Sequence, residues 1–148
     1  MEIGFYHLTS STLEQALPKL LARVLGLPSR AMILGGDAGR LAALDTALWR
    51  AAEWLPHNAP DAPTDAPLQP IWLTMEDGPA PNAARHLFLI DGARSAHLDQ
   101  FDRGFDLFDG REEAAVQAAR TRFREAREAG HALTYWLQDE AGRWEKRA

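Results

Sequence analysis

Short apolar runs alternate along this chain with stretches in which apolar residues return every three or four positions, and that alternation most restricts the fold. IGFYHL at residues 3–8 is aromatic and β-branched. After TSST comes LEQALPKLLARVLGL, where Leu13, Leu17, Leu20, Leu21 and Val24 recur at helical spacing. Ser11 and Glu14 have the spacing of a capping box, and Pro18 predicts a kink or a later helix start. RAMILGG at 30–36 reads as a buried strand ending in two glycines. Asp37 then stands as N-cap of a helix with Leu41, Leu44, Leu48 and Ala52 on one face.

Residues 56–70, PHNAPDAPTDAPLQP, carry five prolines and read as an extended loop over the surface. IWLTM (71–75) and HLFLI (86–90) follow as strands around the turn-forming EDGPAPN. FDRGFDLFDG permits a helix or a strand at 103–108, and its place between a strand and a helix favours the strand. EEAAVQAARTRFREAREAG is the clearest helix, with Gly130 as its C′ residue, and HALTYWL closes with period two. The pattern predicts an α/β fold: a single three-layer Rossmann-like domain over residues 1–148, with a mostly parallel sheet flanked by helices on both faces. A chain of 148 residues buries a core of that kind without disulfide or metal.

The chemistry-bearing motifs are sparse. There is no cysteine, which excludes thiolate zinc sites, disulfides and cysteine nucleophiles. LGGDAGR has neither the dinucleotide fingerprint nor the lysine of a P-loop, so its glycines read as a tight turn. The five histidines include no pair at metal-ligand spacing, and no serine has the Gly-x-Ser-x-Gly context. Asp99, Asp102, Asp106 and Asp109 form a run that reads as solvated or turn-capping carboxylates. On a strand, Asp102 and Asp106 face one way and Asp99 and Asp109 the other. Neither a catalytic residue nor a cofactor is expected. A formal charge of -5 argues against gripping a phosphate backbone as the main task. MEIGFYHL lacks the pattern of a targeting segment, and no run approaches the roughly 20 apolar residues of a membrane span, so the expected location is the cytoplasm.

Two surfaces stand out. WRAAEWLPHN puts Trp49, Trp54, Leu55, Pro56 and His57 where a helix gives way to the proline-rich loop. That cluster is either a lid folded back on the domain or a protein interface anchored by aromatics. On the last helix Arg120, Arg124 and Arg127 share a stripe beside the apolar line Val116, Ala119 and Phe123, with Arg122 on the other side of that line. The stripe is either a solvated face or a receptor for an acidic ligand.

Taken in order, GFYHL, LDTALW, WLPHN, HLFLI preceded by PNAA, FDRGFDLFDG and ARTRFREAREAGHAL resemble the chi subunit family of bacterial DNA polymerase III, from about residue 2 to residue 144. The resemblance implies a non-catalytic accessory subunit of the clamp-loader assembly, without bound nucleotide. It would pair with the small psi subunit and bind the acidic C-terminal tail of single-stranded DNA-binding protein, with direct DNA contact weak or absent. For psi it points to Trp49, Trp54, Leu55, Pro56 and His57. For the tail it points to Arg120, Phe123, Arg124, Arg127, Tyr135 and Trp136, Arg127 foremost. The family often has an aromatic residue where this chain has Ala126. Two other readings stay open: a small-molecule or nucleotide site at the carboxyl edge of the sheet, lined by Gly35, Gly36 and Asp37, and weak binding of single-stranded DNA through arginines and tryptophans.

Overall fold

In the computed structural model, which describes residues 1–59 and 65–148, seven strands form one sheet in the order β3-β2-β4-β5-β1-β6-β7. The strands are β1 (Glu2–Leu8), β2 (Ala31–Gly35), β3 (Ile71–Thr74), β4 (His86–Ile90), β5 (Arg103–Asp109), β6 (Ala132–Gln138) and β7 (Trp144–Lys146). Every pairing is parallel except β6 with β7. The alternation legible in the sequence is thus a doubly wound sheet. The terminal hairpin to β7 is an addition that the sequence pattern did not reveal.

Helices α1 (Leu13–Gly26) and α2 (Ala38–Arg50) pack on one face, against Tyr6, Leu8, Ile33, Phe88 and Leu107. The other face is divided. Helix α3 (Glu113–Glu128) covers Ile3, Phe5 and Phe108, while the loops around residues 80–84 and 93–101 cover Met32, Leu34 and Leu87. β2 and β4 are buried at every position, as expected for central parallel strands covered on both sides. On α1 the fully buried Leu17 and Leu21 each contribute about 1.5–3 kcal/mol.

The capping box of α1 is Thr12 with Gln15, one residue later than Ser11 with Glu14. Gln15 N–H donates to the Thr12 hydroxyl at 3.3 Å, and Thr12 N–H donates to the Gln15 amide oxygen at 2.9 Å. Ser11 is instead engaged by Gln138: its N–H donates to Gln138 Oε1 at 2.9 Å, and its hydroxyl accepts from Nε2 at 2.9 Å. The helix then runs through Pro18. Asp37 caps α2 as expected, accepting from Arg40 N–H at 2.8 Å. Gly130 follows the α3 cap, its N–H bonded to Arg127 O at 3.0 Å.

The glycine pair after β2 is a close-packing device. Gly35 has φ 129°, and a Cβ there would overlap the Ile90 carbonyl of β4. One at Gly36 would meet Arg40 Cγ at 2.7 Å, because the Arg40 side chain lies over the turn.

Candidate partner-binding surfaces

The segment after α2 reaches its position by completing the sheet. The Asn58 side chain acts as one more strand beside β3: its Nδ2 donates to Leu73 O at 3.0 Å, and its Oδ1 accepts from Leu73 N–H at 2.7 Å. His57 bridges Ile71 in parallel, and its ring lies 2.7 Å from both Leu55 O and the Asp45 carboxylate of α2. Leu55, His57 and Asn58 are therefore buried, which corrects the surface-loop reading at that end of the segment. Of the rest of that stretch, residues 60–64 lie outside the described residues, while residues 65–70 carry a short 3-10 turn at Ala66–Leu68 where an extended run was expected.

That anchoring pushes the tryptophans outward. Trp49 lies over His57 at 4.4 Å between centroids, and Trp54 meets Trp49 edge-on at 6.2 Å. Trp49 is 53% exposed and Trp54 79%. Leu55 folds back onto the domain as the lid reading expects, whereas Trp54 does not. Of the five residues expected at this interface, Trp49 and Trp54 are open and Pro56 is half-buried. Leu55 and His57 lie beneath the surface and support it without reaching a partner.

Helix α3 is built on a different principle. Arg120, Arg124 and Arg127 are exposed, and none makes an ion pair among the described residues. Arg127 lies 5.7 Å over the Phe123 ring, which meets Phe5 edge-on at 5.1 Å and Tyr135 at 6.0 Å. The Tyr135 hydroxyl is 2.6 Å from His7 Nδ1. Burial pushes the His7 imidazole down from its ordinary range, with the Arg120 charge adding to the effect, and burial pushes the Tyr135 phenol up. Both are neutral at pH 7, the state in which the phenol donates to Nδ1. His7 thus joins Arg120, Phe123, Arg127 and Tyr135 in one patch. Its membership was hidden, since 112 residues lie between it and Arg120 in the chain.

Trp136 belongs elsewhere. Period two turns it to the opposite face from Tyr135, where it stacks beside Tyr6 at 6.1 Å. Arg122 lies on the other side of the apolar line, as its spacing predicts. Its guanidinium makes a bidentate pair with Asp106 at 2.7 and 2.9 Å, both side chains buried. Burial pushes the Asp106 carboxyl up, and Arg122 opposes it. Asp106 is thus not a solvated carboxylate, and it faces α3 because β5 is a strand.

At the carboxyl ends of the strands a cavity of about 600 Å³ is lined by Arg40, Asp91, Gly92, Asp109 and Arg111, among others, and not by Gly35, Gly36 and Asp37. Arg40 lines it, bound to Glu14 and to Asp91 at 2.9 Å, at the strand ends where open α/β sheets commonly take ligands. No helix among the described residues is long and apolar enough to cross a membrane.

No curated protein matches the chain. The family comparison gives a different result: residues 1–134, from β1 through all three helices into β6, match the family described as DNA polymerase III chi subunit, HolC, and the chain belongs to that family.

Proposed function

We propose that this accessory subunit of DNA polymerase III is a connector without a reaction of its own, working in the cytoplasm. It holds the psi subunit at the end of α2 and the acidic C-terminal tail of single-stranded DNA-binding protein on α3, and so ties the clamp-loader assembly to coated template. The observation that carries this reading is the separation of two unlike surfaces. An exposed tryptophan pair lies on one helical layer, and an arginine stripe floored by aromatic rings lies on the other. Large rings that lose little freedom on binding suit an apolar partner. Fixed guanidinium donors beside Phe123 and Tyr135 suit a peptide that combines carboxylates with a terminal aromatic residue.

A connecting role also fits the carboxylates. Asp102, Asp106 and Asp109 are each paired with an arginine, Arg85, Arg122 and Arg111 respectively, so their charge is already committed within the fold. The test is a pair of titrations, psi and a labelled tail peptide, each alone and then together on the same chain. Independent binding of both is expected. Competition between them would overturn the connector, and failure of the peptide to bind with or without psi would remove the tail from the proposal.

A further inference from the structure

On the α1 side of the sheet, near its β6 edge, the half-buried Trp136 and Trp144 flank the buried rings of Tyr6 and Phe105, and this region is unlike either surface above. Tyr6, Phe105, Trp136 and Trp144, together with Leu20, Val24 and Leu27 of α1 and its end, line a pocket of about 200 Å³. The rings form a row across three strands. Phe105 and Tyr6 are 5.8 Å apart with planes at 28°, Tyr6 and Trp136 are 6.1 Å apart at 6°, and Trp144 stands edge-on to Tyr6 at 5.1 Å. Gly4 makes the row possible. A Cβ there would sit 2.8 Å from Tyr6 Cε1, so only glycine lets that ring lie along the sheet.

The polar groups around the pocket are predominantly donors with positive charge. Arg23 and Arg103 line it. Lys146 is the register partner of Trp136 and projects from the same face. Among the described residues Arg103 pairs with Glu2, at 3.6 Å. The Arg103 Nε is buried without any acceptor. A buried donor left unpaired is unfavourable, and a ligand oxygen that reaches it would remove that cost. His86 Nδ1 is already engaged by the Ser29 hydroxyl at 2.8 Å, and burial pushes its ring below the ordinary histidine range, so it contributes no positive charge at neutral pH.

We infer that this pocket takes a base of single-stranded DNA, with Arg103, Arg23 and Lys146 meeting the base oxygens and the flanking phosphates. The volume holds one planar base, and aromatic walls beside arginines are the usual means of stacking unpaired bases without reading sequence. Duplex DNA keeps its bases stacked on one another and cannot enter. An acidic peptide would match the charges but leaves the accessible faces of Trp136 and Trp144 unused. With three cations and an overall charge of -5, the contact is modest and salt-sensitive. It lies on a different face from the tail patch, so it stands or falls separately from the connector reading.

The experiment is fluorescence anisotropy of a labelled oligo(dT) of about 16 nucleotides with the full chain at low and moderate salt. Trp144→Leu keeps apolar packing and removes the ring, and Arg103→Gln removes the charge; near-UV circular dichroism confirms the fold of each. Both variants are expected to bind at least about five-fold more weakly, while Arg127→Ala leaves oligonucleotide affinity unchanged. No binding by the wild-type chain at low salt overturns the site. So does affinity that survives in both pocket variants, or that falls only in Arg127→Ala, which would put the strand on α3. Equal displacement of the oligonucleotide by an acidic peptide in the wild-type chain, lost in Trp144→Leu, would give the pocket to peptide and overturn the assignment to DNA.

Discussion

The C-terminal end of α2 with the segment after it and the outer face of α3 both expose side chains, but for opposite physical reasons. Trp49 and Trp54 hold large apolar area in water, an arrangement that costs free energy until something covers it. Arg120, Arg124 and Arg127 are hydrated where they stand, and their exposure costs nothing. Exposure alone therefore argues for a partner at the tryptophans and is silent at the arginines. What speaks for the arginines is that none has a carboxylate partner among the described residues, while Arg85, Arg94, Arg111 and Arg122 all have one, and that Phe123 and Tyr135 form an aromatic floor beside them.

The largest expected effect tests how far α3 divides into structural and functional arginines. Removing Arg122 leaves Asp106 buried and unpaired, so Arg122→Ala is expected to lose about 3–5 kcal/mol of folding stability. Arg127→Ala, on the solvent side of the same helix, should change stability by under about 0.5 kcal/mol. Urea unfolding of the two variants makes the comparison. Equal losses would abolish the distinction between the two arginines.

Next comes the apolar surface. Trp54→Ala is expected to weaken psi binding by about 2 kcal/mol or more, because a centrally placed tryptophan is the usual anchor of such contacts. Its thermal midpoint should not move, since the ring covers little of its own domain. Calorimetric titration with psi reads the first and a melting curve the second. Unchanged affinity with an intact fold would make Trp54 peripheral and leave the tryptophan pair without a partner.

The sequence was readable where a local rule decides the outcome. Asp37 caps α2 because a short carboxylate before an apolar face has little else to do, and HLFLI is a buried strand because nothing in it suits water. It was unreadable where long-range register decides. Arg122 looks like its exposed neighbours until β5 brings Asp106 under α3, and Trp136 looks like a wall beside Tyr135 until the pleat separates them. Leu55 and His57 seemed continuous with Trp54. Their burial depends on Asn58 finding the backbone of β3, which no local pattern announces. The β7 hairpin is too short to carry a period of its own.

The tail patch can be sharpened by the same comparison. Arg127→Ala is expected to weaken the labelled tail peptide by roughly 1–3 kcal/mol through loss of a charge-assisted hydrogen bond, with psi affinity unchanged. Anisotropy at several salt concentrations beside a psi titration measures both. Unaltered peptide affinity would remove Arg127 from the site and leave the Phe123 face without its first donor.

The smallest effect belongs to Arg124, although the sequence sets it in the same stripe. At 3.6 residues per turn Arg120 and Arg127 lie about 20° apart, while Arg124 lies about 60° from Arg127, on the side away from Phe123. Arg127 reaches over the Phe123 ring, and Arg120 is close enough to His7 and Tyr135 for its charge to act on both. Arg124 has neither neighbour, and a tail peptide lying on the Phe123–Tyr135 floor meets it only through screened solvent. Arg124→Ala should therefore cost under about 0.5 kcal/mol of tail affinity, the scale of an exposed charge interaction, and that loss should vanish as salt is raised. Arg120→Ala should fall between the two. An Arg124 effect as large as that of Arg127 would mean that the peptide rides along the outer crest of α3 and does not settle on the aromatic floor, and the patch would then have to be redrawn around the helix alone.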